Sequence, residues 1–169
     1  DTLAKIAAEK AGIIKHGTAL VLESQEKEAM DVLNKAAERA DIKTTKVVNL
    51  NEIRILPQKD GKQCFSYAGY DAVTMKMLGV HQYENAVAAM LAAELFFEKY
   101  FAGKKNVLER KALQHAIREG IDRTQWMGRM ELVSNDPFFL MDGAHNSNGV
   151  EALKKSLETM YPDEKFHFI

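Results

Sequence analysis

Residues 138–153, FFLMDGAHNSNGVEAL, constrain the fold of this chain more than any other stretch. FFLM has the bulky apolar character of a buried strand, and the residues from Asn148 to Met160 have the pattern of a helix behind polar capping residues. With RMELVS and the turn NDP before it and KFHFI after it, the region reads as a hairpin leading into strand, helix, strand, the start of an α/β unit. The turn gathers Asp142, Gly143, Ala144, His145 and Asn146. In open α/β sheets, ligands bind in the crevice beyond the carboxyl ends of the strands, and a helix N-terminus attracts anions. Asp142 is suited to accept hydrogen bonds from sugar hydroxyls and His145 to donate to a phosphate oxygen, while Gly143 lets backbone approach closely. The same side chains also satisfy turn and cap amides without any ligand, and the turn chemistry alone favours that reading slightly.

Upstream, the spacing of Leu3, Ile6 and Ala7 predicts a helix over 2–11, with Asp1 as N-cap and Gly12 as stop. A buried strand TALVLE (18–23) and an amphipathic helix over 25–40, with Ala29, Val32, Leu33 and Ala36 on one face, follow. TKVVNL, EIRIL, QCFSYAG and YDAVTMKML read as strands, with turns at 59–61 and 68–70, and suggest a small antiparallel insert. A long, largely buried helix is expected over 82–101 and another over 109–120, ending at Gly120. The change of texture near RTQWMGR places a domain boundary there, giving domains over 1–124 and 125–169.

Composition excludes several classes. Lys and Arg (23) balance Asp and Glu (24) and intersperse with them, so no broad basic face for nucleic acid is expected. The longest apolar stretch, Ala86 to Phe97, is interrupted by Glu94 and too short to cross a bilayer. A single cysteine, Cys64, cannot form an internal disulfide and is compatible with a reducing cytosol. The opening on Asp1 and the closing EKFHFI, a strand with no neighbour yet supplied, suggest a fragment of a longer protein. There is no Walker-type phosphate loop, Cys pair, His-Glu-x-x-His or Gly-x-Ser-x-Gly, and the five His lack zinc-ligand spacing.

Three further places can carry chemistry. In LGVHQYENAVAA, His81, Gln82, Glu84 and Asn85 open the long helix, and Gln82 and Asn85 share a helical face. The Asn85 amide offers a donor and an acceptor to a purine edge, although capping by polar residues is the ordinary explanation. Lys10 closes the first helix, where the macrodipole favours a cation; a neutral lysine amine can instead add carbon dioxide and become a carbamate ligand for Mg²⁺. Arg129, at the expected boundary, is either an exposed strand-start residue or a phosphate contact whose charge persists at any physiological pH.

In this order, DTLAKIAAEKAGIIK, LGVHQYENAVAA, WMGRMELV and FFLMDGAHNSNGVEAL closely resemble folylpolyglutamate synthase and dihydrofolate synthase, within the Mur ligase superfamily. The resemblance covers nearly the whole chain. It implies the C-terminal half of a P-loop-type central ATPase domain, with helices, parallel strands and a small antiparallel insert, followed by the first strands and helix of a Rossmann-like ligase domain. It also implies a cytoplasmic ligase, expected as a monomer when complete, that uses ATP and Mg²⁺ to add L-glutamate to dihydropteroate or folates through an acyl phosphate. Lys10 matches the carbamylated lysine near Mg²⁺; Asn85, Arg129 and Asp142 match ATP-binding positions, and His145 a residue of the same cleft, so Lys10 and His145 are the catalytic candidates. Met127, His16 and Ser147 stand where the family commonly has Pro. The family's phosphate loop and main Mg²⁺ ligands are expected upstream of Asp1, leaving this piece inactive alone. A Mur ligase acting on a peptidoglycan precursor and a noncatalytic nucleotide-binding module are the competing readings.

Overall fold

The structure is a computed structural model that describes residues 2–17, 19–101 and 110–169. Two compact units are present, one of residues 1–52 with 87–113 and one of 53–86 with 114–169.

In the first unit, α1 (Leu3–Lys10) is capped by Thr2, whose hydroxyl accepts from Lys5 N at 3.3 Å. The expected cap, Asp1, lies outside the described residues, as do Thr18 and Glu109, the expected first residues of a strand and a helix. Gly12 does not stop the helix, which tightens into a 3₁₀ turn over Ala11–Ile13. Strands β1 (Ala19–Leu22) and β2 (Thr44–Val47) pair in parallel from Ala19↔Thr44 to Leu22↔Val47. A parallel pair needs a crossover, and α2 (Lys27–Arg39) supplies it, with Ala29 and Ala37 buried on its apolar stripe. Val48 is buried just past β2, and its N–H donates to Leu22 O at 2.8 Å.

The second unit contains the antiparallel insert expected from the sequence, a three-stranded sheet in the order β3 (Arg54–Lys59), β4 (Lys62–Tyr67), β5 (Tyr70–Met75). Both connections are two-residue turns with positive φ at each central position: Asp60 (53°) and Gly61 (72°), then Ala68 (44°) and Gly69 (86°). Such turns match the twist of paired strands. Gln63 to Tyr67 are all buried, the pattern of a central strand covered on both faces. On one face, the ring of Phe65 meets Tyr83 edge-on at 5.7 Å. On the other, Lys62 Nζ reaches both oxygens of Asp122 at 2.8 Å, and the Thr74 hydroxyl donates to Asp122 Oδ1 at 2.6 Å. Asp122 belongs to α4 (Arg110–Arg123), so this triad fastens that helix to the sheet.

Helix α3 runs over Gln82–Phe101, the bounds expected from its apolar composition. Gly120 does not end α4; it sits inside the helix, and the Thr124 hydroxyl donates to Gly120 O at 2.8 Å beyond the last turn. Strands β6 (Glu131–Asn135) and β7 (Phe138–Met141) form the expected hairpin, but β6 starts after Met130, whose φ is +43°. FFLM is not a buried strand: Phe138, Phe139 and Met141 are each more than 40% exposed, because among the described residues β7 pairs only with β6. KFHFI, read from the sequence as a strand, forms none. Helix α5 (Ser147–Met160) is capped by Asn146, which accepts from Gly149 N at 2.8 Å.

The Lys62–Asp122–Thr74 triad carries a testable consequence. Asp122→Ala should lower stability by about 1–3 kcal/mol at neutral pH, read in a urea titration. The hydrogen bonds from Lys62, then Thr74, hold the Asp122 carboxyl below its ordinary value. Its contribution is therefore full above the unfolded-state carboxylate pKa of about 4 and is lost as pH falls through the lower folded value. Stability curves of wild type and variant should converge in acid; a constant gap down to acid unfolding would exclude the triad as the source.

Candidate functional site

The second unit gathers several polar residues around the start of α3 and the turn before α5. The segment leading into α3 is held by buried polar side chains. Gln63, only 2% exposed, donates from Nε2 to Met77 O at 2.8 Å and Gly79 O at 3.1 Å. Val80 N donates to the hydroxyl of Ser156, a fully buried residue of α5, at 3.0 Å, and that hydroxyl donates to Ala152 O at 2.8 Å. Gly79 has φ +113°, and a Cβ there would lie 2.8 Å from His81 Cε1 and 3.1 Å from Met130 Sδ. Only glycine lets the imidazole of His81 fold back over the loop this closely.

His81, Gln82 and Asn85 form a chain of hydrogen bonds. Asn85 Nδ2 donates to Gln82 Oε1 at 3.0 Å, and Gln82 Nε2 lies 3.0 Å from His81 Nε2. Since the oxygen of the Gln82 amide faces Asn85, its amino group faces His81, so His81 Nε2 accepts and the ring proton resides on Nδ1. His81 Nδ1 is buried without a hydrogen-bond partner. Burial is the main cause that lowers the His81 pKa; Asp142 and Glu84 oppose it and Arg129 reinforces it. The ring is thus neutral at physiological pH.

Asp142 spans the turn before α5. Its Oδ2 accepts from Met130 N and its Oδ1 from Ala144 N, both at 2.8 Å. Gly143 N donates to Gly128 O at 2.7 Å, so the turn and the segment before β6 are joined twice. A Cβ on Gly143 would stand 3.1 Å from Arg129 Nη1, which places the guanidinium against the bare face of this glycine. His145 Nδ1 donates to Gly143 O at 2.9 Å, so neutral His145 presents a lone pair at Nε2 and donates there only as the imidazolium. His145, Asn146 and Ser147 line an open cavity of about 630 Å³ with Val150, Glu151 and Lys154 at the start of α5.

Asn85, Arg129, Asp142 and His145 thus all fall in the second unit, together with His81 and Gln82. Lys10 belongs to the first unit, exposed in the last turn of α1, where a cation is favoured by the helix dipole. Among the described residues, no group of three or more His, Cys, Asp or Glu is arranged to hold a metal ion, so these residues alone do not form a Mg²⁺ site. The capping readings hold in part: Asn146 is the N-cap, and Asp142 satisfies turn amides with both oxygens. Sequence reasoning missed Gln63, Gly79, Met130 and Ser156. The signals were a lone amide in an apolar strand and a lone hydroxyl near the apolar stripe of α5.

No family model matches the chain. Among curated proteins, the dihydrofolate synthase/folylpolyglutamate synthase of Bacillus subtilis is 30% identical over 177 residues, a match spanning 100% of this chain and 38% of that protein. The enzyme of the same name from Mycobacterium tuberculosis is 31% identical, spanning 92% and 32%. Among solved structures, the Thermotoga maritima folylpolyglutamate synthase superposes with a TM-score of 0.71 at 31% identity, covering 93% of this chain and 35% of that one. The Mycobacterium tuberculosis folylpolyglutamate synthase complexed with ADP gives 0.75 at 29%, covering 93% and 34%. The chain is, from end to end, folylpolyglutamate synthase-like. It spans well under half the length of the synthases it matches.

Within this synthase-like chain the double role of Asp142 as amide acceptor is open to test. Asp142→Ala leaves two backbone N–H groups without their charged acceptor and should lower stability by about 1–3 kcal/mol. Amide hydrogen exchange should accelerate at Met130 and Ala144. Unchanged protection at both positions would show that the carboxylate does not hold the turn.

Proposed function

We propose that the complete protein is an ATP-dependent ligase that adds L-glutamate to dihydropteroate or to folates. The observation that carries this reading is the gathering of Asn85, Arg129, Asp142 and His145 in one unit of a chain similar throughout to folylpolyglutamate synthases. Support for a nucleotide comes from the relative solved with ADP. In this reading residues 1–124 belong to the central ATPase domain and residues 125–169 open the ligase domain. The protein works as a monomer in the cytoplasm on small-molecule substrates.

In the proposed chemistry, an oxygen of the substrate carboxylate attacks the γ-phosphorus of ATP, and the bond to the β–γ bridging oxygen breaks to release ADP. The amine of glutamate then attacks the acyl carbon, loses a proton and expels phosphate, leaving an amide. Such transfers depend on positioning and charge neutralisation more than on a covalent protein group. Asn85 is exposed beside the anchored Gln82 and offers its remaining donor and acceptor to the adenine edge. Arg129 contributes positive charge toward phosphate. Each oxygen of Asp142 retains a second lone pair beyond its backbone contact, enough to accept from a nucleoside hydroxyl. His145, as the imidazolium, donates from Nε2 to a phosphate oxygen. Mg²⁺ serves in this reading to neutralise phosphate charge, and carbamylated Lys10 contributes to its binding together with ligands from elsewhere in the complete protein.

Assay of the complete protein decides the substrate. ADP release should depend on glutamate together with dihydropteroate or a reduced folate; release that depends on a peptidoglycan precursor instead would assign a Mur ligase, and none with any acceptor would leave a noncatalytic module. Lys10→Ala should abolish turnover, with partial recovery in added acetate or another small carboxylate. Full activity in that variant would remove the carbamate.

A further inference from the structure

Within the second unit, Asn85 and the turn that carries Asp142 and His145 come from segments far apart in the chain, and one buried hydroxyl joins those segments. Ser156 is fully buried on α5, roughly 15 Å along the helix axis from the Asn146 cap. Its Oγ accepts from Val80 N at 3.0 Å and donates to Ala152 O at 2.8 Å. Neither role depends on how a side chain is turned, because a backbone N–H only donates and a carbonyl only accepts. Val80 stands between two residues whose carbonyls open α3: Gly79 O accepts from Gln82 N at 3.1 Å and His81 O from Asn85 N at 3.3 Å. The position of Val80 is therefore passed through the backbone to the first turn of α3, where Asn85 lies. At its other end α5 begins beside Ala144, whose N–H is held by Asp142, and is capped by Asn146. Gln63 also grips the loop, at Met77 O and Gly79 O, but it belongs to β4, on the same side of the proposed domain boundary as α3. Ser156 crosses that boundary.

We propose that Ser156 is a positioning residue for the nucleotide: its hydroxyl ties the loop over 79–81 to α5 and so sets the spacing between the base contact at Asn85 and the sugar and phosphate contacts at Asp142, Arg129 and His145. The inference rests on the nucleotide-binding reading of this site. A nucleotide that reaches both segments needs them at one separation, and a tie made before binding spares the ligand the cost of ordering them. Without the hydroxyl, the Val80 amide loses its partner and the loop is free to shift against α5. Part of the ATP binding energy is then spent drawing Asn85 back. In this reading Asn85 contacts only the nucleotide, so glutamate serves as the internal control.

Steady-state kinetics of the complete protein tests the tie. Ser156→Ala should raise KM for ATP about five- to tenfold, the worth of one net hydrogen bond, with kcat at saturating ATP and KM for glutamate little changed. Ser156→Cys fills the same space with a weak donor and acceptor and should show the same selective rise. In an Asn85→Ala background, Ser156→Ala should have no further effect on KM for ATP, because the loop it frees no longer carries the base contact. Unchanged KM for ATP in Ser156→Ala, or in Ser156→Cys if the first variant does not fold, overturns the proposal. So does an equal rise in KM for glutamate, or a full further rise in KM for ATP in the Asn85→Ala background. Asn85→Ala alone separates the two levels: if it leaves KM for ATP unchanged, the nucleotide reading of the site fails and the inference with it; if it raises KM for ATP while Ser156→Ala does not, only the positioning role fails.

Discussion

The arrangement of the second unit depends on one carboxylate. Asp142 draws Met130 N and Ala144 N onto its two oxygens at 2.8 Å, and these N–H groups belong to opposite sides of the hairpin base. Charge-assisted hydrogen bonds of this kind are roughly twice as strong as neutral ones. They hold the segment before β6 against the turn after β7, with Gly143 N and Gly128 O closing the remaining gap. His145 is oriented by Gly143 O, and Arg129 lies over Gly143, so both inherit their positions from the same clasp. The chain turns sharply here with Gly128 and Met130 at positive φ, a conformation unfavourable for Met130 that the carboxylate contact compensates.

Buried polar side chains act in the same way on the other side of the cluster. The loop before α3 has little regular backbone pairing, and the Gln63 amide and the Ser156 hydroxyl supply partners for it instead. Burying these groups is tolerable because their principal hydrogen bonds are made, and each bond ties down a loop atom. His81 is the exception, with Nδ1 orphaned. An unsatisfied buried donor costs about 1–3 kcal/mol, and such costs concentrate where position matters more than stability.

Local signals in the sequence were read well and long-range ones poorly. The bounds of α3 follow from its apolar composition and the polar turn before it, and the hairpin turn at 60–61 follows from Asp-Gly. The cap at Asn146 is equally local. Gly120 misled because a glycine inside a helix costs only about 1 kcal/mol relative to Ala, less than the helix gains by continuing to Arg123. FFLM misled because apolar composition reports what a strand can bury, not whether a neighbour exists to cover it. The loop atoms that Gln63 and Ser156 hold lie 14 to 76 residues away from them, a separation at which residue spacing carries no information. The candidate site was pointed to only by the joint order of four motifs. Its internal wiring, Gln63 to Gly79 and Gln82 to His81, was not.

The structural and functional readings of the Asp142 turn do not compete for the same atoms. Each carboxylate oxygen has two acceptor directions, and the backbone takes one from each. If backbone bonds consumed all of the capacity, a ligand hydroxyl would have to displace an amide, and binding would cost what the turn gains. With one direction left on each oxygen, the turn is held rigid before any ligand arrives. The same division applies to the exposed Asn85, whose amino group donates to Gln82 while its oxygen is not used in that contact. A group fixed through one half of its hydrogen-bonding capacity and open through the other loses little conformational entropy on binding. A cap and a ligand contact are therefore mutually reinforcing uses of one residue, and the polar residues at this turn need not be assigned wholly to either.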